Sequence, residues 1–144
     1  MTAPAVHKAM ADCPAFRISP RDTNYFALVF DPQGEEVDLV CVVEIFQQGG
    51  KTPPNVHQRA EEMFFVLKGE GVASCGGTDT PIRAGDALLL RRGQSHVIAN
   101  TGTGKLYTLT VMVPNEDFAE LIRKGTPVAL DAEDRAVIAG LHRG

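Results

Sequence analysis

Between Gly49 and Gly71 the chain reads GGKTPPNVHQRAEEMFFVLKGEG. Its second half has the signature of a strand, in which every second side chain falls on the same face. Glu62, Phe64 and Val66 share one face, and Met63, Phe65 and Leu67 share the other. A carboxylate that opens an otherwise apolar strand is costly to bury without a partner. A metal ion, or polar groups gathered around a ligand, would supply one. Upstream, Asn55, His57 and Arg59 lie on one face if that segment is extended.

A second stretch, GDALLLRRGQSHVIAN from Gly85 to Asn100, places His96 at the start of a short apolar run, just after a turn at Gly93. Imidazoles and a carboxylate together suit Zn, Fe, Mn or Ni, and two imidazoles with one carboxylate leave coordination positions open. No two histidines stand at the i, i+4 spacing of a helical zinc motif. A site built from these residues therefore has to be assembled across strands.

Outward from these stretches, short apolar runs alternate with turn signals. Tyr25 to Phe30, Val37 to Phe46, Glu62 to Leu67, Gly71 to Ser74, Ala87 to Leu90, His96 to Ala99 and Leu106 to Val113 read as strands. Gly or Pro clusters, such as Asp31-Pro32-Gln33-Gly34, separate them. This rhythm predicts an all-β sandwich or barrel, not a βαβ fold. After Pro114 the period changes. Asn115-Glu116-Asp117 forms a helix-start cluster, Phe118, Leu121 and Ile122 recur at helical spacing, and a second short helix is expected from Asp131 to about Gly140. Residues 1–20 show no periodicity and are expected to form an arm.

The 144 residues fit one domain. Fourteen Lys and Arg against 18 Asp and Glu give a net charge of −4, and no dense basic run offsets it, so nucleic acid is an unsuitable partner. Cys13, Cys41 and Cys75 are odd in number and widely spaced, unlike a disulfide framework or a thiolate zinc site. The opening residues lack the apolar core of a secretory signal, and no stretch is long enough to span a bilayer. A cytoplasmic location without membrane attachment is the expectation.

At these residues the chain resembles the cupin superfamily, whose fold is a double-stranded β-helix, or jelly roll. The first cupin motif runs Gly, five residues, His, one residue, His, three or four residues, Glu, six residues, Gly. Gly49, Asn55, His57, Glu62 and Gly69 stand at those spacings. The second runs Gly, five residues, Pro, one residue, Gly, two residues, His, three residues, Asn. Gly85, Arg91, Gly93, His96 and Asn100 match it by position. The chain departs from the pattern at Arg91, where the family has a turn proline, and at Asn55, where it has a histidine ligand. An amide oxygen can ligate a metal, but it is neutral and harder than imidazole. Asn55 belongs either to the ligand set or to the shell around it.

The resemblance implies a barrel over residues 21–114, a helical extension over residues 115–144 packed on it, and one divalent metal held by Asn55, His57, Glu62 and His96. Glu61 would point outward. Arg59, Phe64 and Tyr107 are candidates to shape and orient a small-molecule substrate, and Asn100 is expected to act as a turn former. Single-domain cupins suggest a metal-dependent enzyme of oxygenase, isomerase or lyase type. The alternatives are a non-catalytic ligand-binding or sensor module with a weakened metal site and, less suited to a single barrel, a storage protein. A homodimer is expected, with Tyr25 to Phe30 as the strand available for edge pairing.

Overall fold

The apolar runs pair into two antiparallel sheets in the computed structural model, which describes residues 3–140. The first two residues of the expected arm and the last four of the extension, His142 included, lie outside that range. The strands are β1 (Ala15–Arg17), β2 (Asn24–Phe30), β3 (Val40–Phe46), β4 (Glu61–Lys68), β5 (Glu70–Cys75), β6 (Thr78–Arg83), β7 (Ala87–Leu90), β8 (His96–Asn100), β9 (Leu106–Val113) and β10 (Thr126–Val128). Three short α-helices, α1 (Pro32–Glu35), α2 (Phe118–Arg123) and α3 (Ala132–Ile138), and a 3-10 turn at Met10–Asp12 accompany them among the described residues. The larger sheet has seven strands in the order β10-β1-β2-β3-β9-β4-β7, and the smaller has three in the order β6-β5-β8. This is the all-β jelly roll that the sequence predicts.

Alternation decides which residues face the space between the sheets. Phe46, Phe64, Val66, Leu90 and Leu106 of the larger sheet pack against Ala73, Ile82 and Ile98 of the smaller one. The same inner face continues through Phe26, Leu28, Val40, Val42 and Met112, where Ala119 and Ile122 of α2 close over it. The opposite, outer face carries Tyr25, Ala27, Val43, Ile45 and Tyr107, which are covered by Val137 and Ile138 of α3. Because both faces of β2 are covered, its residues are apolar without alternation.

That double coverage corrects two expectations. Tyr25 to Phe30 is not a free edge: β2 pairs with β3 on one side and with β1 on the other, where Ala15 opposes Ala27. The expected arm instead contributes β1 to the sheet, and Thr126–Val128 of the extension pairs with it as β10, an edge strand. Strand β6 is a further difference from the sequence reading. Its run TDTPIR is exposed except at Ile82, so it carries no apolar alternation to read. The expected turn at Asp31 is a single helical turn, where the Asp31 side chain accepts from the Gly34 N–H at 3.1 Å.

Two glycines of the motifs show why no other residue suits them. Gly69 sits at φ +93, and a Cβ there would come within 2.6 Å of the Lys105 carbonyl oxygen. Gly93 sits at φ +80 and donates its N–H to the His57 carbonyl at 2.7 Å, joining the two motifs. Asn100 locks the end of the second motif: its amide donates to the carbonyls of Phe46, Gln47 and Gly104 and accepts from the Gly102 N–H. No helix among the described residues is long and apolar enough to cross a membrane.

Candidate metal centre

Glu62 is the second residue of β4, turned inward by the same alternation that turns Phe64 and Val66 inward. His96 opens β8 in the facing sheet. His57 comes from the irregular segment before β4, held by the Gly93 bond and by a bridge in which Asn55 and His96 exchange backbone hydrogen bonds at 3.2 and 2.9 Å. These three side chains are buried, and their ligand atoms lie within 4.8 Å of one another. The Glu62 Oε1 atom stands 3.1 Å from His96 Nε2 and 3.4 Å from His57 Nε2. The two imidazole rings are tilted by 46° with centroids 5.4 Å apart.

Proximity here is not hydrogen bonding. Although two ring nitrogens approach it, Glu62 Oε1 is buried without a partner of hydrogen-bond geometry. A desolvated carboxylate oxygen left in that condition is costly. Two nitrogen lone pairs and one carboxylate oxygen converging on one point suit a divalent cation. The donor set therefore fits the metal that the sequence suggests. Burial pushes the Glu62 carboxyl up, but the adjacent imidazoles outweigh it and hold the group below the usual carboxylate range. The Glu62 carboxylate raises His57 against the opposing effect of burial, with Glu116 adding to the rise.

The fourth candidate, Asn55, belongs to the same cluster, with its Nδ2 atom 3.3 Å from His57 Nε2. Half a turn of the amide exchanges Oδ1 for Nδ2 at that place. Phe64 forms part of the wall of a cavity of about 730 Å³ that opens from the centre, together with Asn24, Phe26, Glu44, Phe118 and Leu121. Glu61 points outward and stands 3.9 Å from Arg91.

Two of the candidates read from the sequence lie elsewhere. Arg59 is exposed and does not line the cavity, because the chain bends at Gln58 and Arg59 and the parity of an extended strand is lost. Tyr107 is fully buried on the outer face of β9, where its hydroxyl donates to Asp134 at 2.7 Å. Both readings are corrected by the backbone: a bend in one case, strand alternation in the other.

Two further acids border the site. Glu44 lies on the inner face of β3, with 3% of its surface exposed, and its side chain accepts from Asn24 Nδ2 at 3.3 Å. Burial, reinforced by the charge of Glu62, pushes its carboxyl up to about 8. The signal was present in the sequence, as the single acid of the apolar run VCVVEIF. Glu116 precedes α2 and accepts from the backbone N–H groups of Gln58, Arg59 and Ala60, at 3.2, 2.6 and 3.0 Å. Its carboxylate also stands 3.7 Å from His57 Nδ1, so it pins the bend that carries this imidazole. Glu116 and Asp117 both adopt positive φ, which a reading of Asn115-Glu116-Asp117 as an ordinary helix start does not foresee.

Known proteins resemble this chain in sequence and fold. The cupin domain family matches residues 42–112. An oxalate-binding protein of Thermotoga maritima is 42% identical over 57 residues, covering 40% of this chain and 47% of that protein. Oxalate oxidase 1 of Hordeum vulgare is 36% identical over 70 residues, covering 43% of this chain and 35% of that one. The chain thus spans less than half the length of these curated relatives. Among solved structures, a protein described as a predicted oxalate decarboxylase from Thermotoga maritima superposes with a TM-score of 0.67 at 26% identity, covering 76% of this chain and 99% of that one. With the jelly roll, both motifs and these relatives in agreement, the chain belongs to the cupin superfamily.

Proposed function

We propose that this protein is a metal-dependent cupin enzyme that binds one divalent ion through His57, Glu62 and His96 and acts on a small molecule in the adjoining cavity. The observation that carries this reading is the convergence of those three buried side chains around a carboxylate oxygen with no hydrogen-bond partner. Asn55, once its amide is turned, offers a fourth, neutral oxygen to the same ion. A bound Fe, Mn, Ni or Zn would supply Lewis-acid chemistry, or redox chemistry if the ion is Fe or Mn. The chain's own part is to hold the donors, to exclude bulk water with Phe26, Phe64 and Phe118, and to aim the substrate.

Relatives named for oxalate binding and oxalate oxidation, and a structure described as a predicted oxalate decarboxylase, support a small carboxylic acid substrate and a reaction of oxidase or lyase type. A second reading, a ligand-binding sensor, is favoured by one observation: Asn55 stands where a neutral amide replaces an imidazole. Elemental analysis separates the two. Near-stoichiometric Fe, Mn, Ni or Zn in purified protein supports the enzyme, whereas metal-free protein that still binds a small ligand supports the sensor.

The proposed assembly is a homodimer, now through the outer face of β4, β7 and β9. There Phe65, Leu89 and Val113 remain 39%, 50% and 44% exposed, next to Met63 and Val111 in the sheet register. Light scattering that shows a clean monomer at micromolar concentration contradicts it.

A further inference from the structure

The metal-binding cluster accounts for one end of the cavity and leaves another polar station unused. Glu44 and Asn24 lie side by side on the inner wall, on β3 and β2, each less than 10% exposed. Glu44 takes part in neither the metal cluster nor any ion pair among the described residues, and Asn24 Nδ2 is the one hydrogen-bond donor to its carboxyl there. Asn24 Oδ1 accepts from the Thr23 hydroxyl at 3.3 Å, so the amide is oriented with its nitrogen toward the acid. A buried acid needs more than a single long hydrogen bond to offset its desolvation. On the cavity wall, the group that completes it can come from a ligand.

The surroundings restrict what that ligand is. The lining carries Asp22, Glu44, Glu62, Glu116, Asp117 and Glu120 against Lys51 and Lys124. With acids outnumbering the two lysines, the lining disfavours a second carboxylate beside Glu44. Phe26, Phe64 and Phe118 give the same cavity an apolar, aromatic lining, with Phe118 edge-on to Phe26 at 5.6 Å. A volume of about 730 Å³ suits a molecule much larger than a compact dicarboxylate.

Resting on the metal-centre reading above, we propose that Glu44 and Asn24 form a second ligand subsite that binds a hydroxyl group. That hydroxyl would belong to the molecule whose oxygens are held at the metal centre, its apolar, ring-like body packed against the aromatic lining. A hydroxyl is suited to the pair because it donates to the Glu44 carboxyl and accepts from the second N–H of Asn24. By this inference the chain differs in specificity from its oxalate-named relatives: it takes a hydroxylated, partly aromatic acid in preference to oxalate.

The test uses the full chain and simple probes. Zinc is first titrated into metal-free protein. The zinc-loaded protein is then titrated calorimetrically with benzoate, with the three hydroxybenzoate isomers and with oxalate. The expected result is that at least one hydroxybenzoate binds about tenfold tighter than benzoate, the gain that one buried hydrogen bond gives, and that oxalate binds no tighter than benzoate. In Glu44→Leu the gain disappears while zinc and benzoate binding stay within twofold; Glu44→Gln, which keeps an acceptor in place, retains part of it. The proposal is overturned if no isomer gains over benzoate in the wild-type protein, a comparison that needs no variant. It is also overturned if the gain survives in Glu44→Leu, or if oxalate binds tightest. Absence of zinc binding sinks the metal-centre reading and this subsite with it; one zinc per chain without a hydroxyl gain sinks the subsite alone.

Discussion

Two carboxylates lie at almost the same depth on opposite faces of the larger sheet, Asp134 at 1% exposure and Glu62 at 4%. Asp134, on α3, has every oxygen occupied. One accepts from the Tyr107 hydroxyl at 2.7 Å and from Lys105 at 3.0 Å; the other accepts from the Tyr25 hydroxyl at 2.7 Å and from the Asp131 N–H at 3.2 Å. It also closes a reciprocal cap with Asp131 that starts the helix. Burial, with the Asp134 bond adding to it, raises the Tyr25 hydroxyl to about 12 and pushes Tyr107 up as well, which keeps both phenols as donors. Glu62 has two imidazoles beside an oxygen that forms no hydrogen bond. A buried acid that is fully paired fastens structure; one left incomplete among convergent donors is a place for something the chain does not itself supply.

The largest expected effect lies on the paired side. Asp134→Ala leaves the Tyr25 and Tyr107 hydroxyls without their acceptor and Lys105 with Asp131 as its remaining acid partner, and should lower unfolding free energy by about 3–5 kcal/mol, read from urea denaturation of metal-free protein. A loss below about 1 kcal/mol would break the contrast. Next comes Glu44, raised from its ordinary 4.5 to about 8 in the folded chain. A carboxyl raised on folding weakens the fold as pH climbs from the unfolded value to the folded one. Metal-free protein should therefore lose stability between about pH 4.5 and pH 8, on the order of 3 kcal/mol, and Glu44→Gln should flatten that slope. The smallest is Asn55→His, expected to tighten metal binding about tenfold, near 1.4 kcal/mol, if Asn55 contributes directly to the ligand set. An unchanged affinity places Asn55 outside it.

How far the sequence reaches differs between these regions. Around Glu62, strand alternation turns the carboxylate inward before any coordinates are known, because the side-chain period of a strand is fixed by the backbone, and the resemblance to the cupin motifs adds His57 and His96. The same rule, applied to Leu106 through Val113, would have placed Tyr107 on the outer face with Leu109, away from the cavity. Arg59 escapes the rule because two residues of bend interrupt the period. The run Tyr25 to Phe30 suggests an exposed edge, although its continuous apolarity records a strand covered on both faces. Strands β1 and β10 are three residues each and are defined by each other across the chain, so local pattern holds little trace of them. Glu44 is legible by the argument used for Glu62, a lone acid on an apolar strand, yet its role depends on Asn24 from another strand.

Completion of Glu62 by a cation is the central claim, and one comparison tests it most directly: zinc titrated into metal-free wild-type protein and into Glu62→Gln. The wild type should take up a single ion per chain, and the variant should bind at least 100-fold more weakly, about 2.7 kcal/mol, while remaining folded. Equal affinity in the two proteins, or no saturable uptake by the wild type, would contradict it.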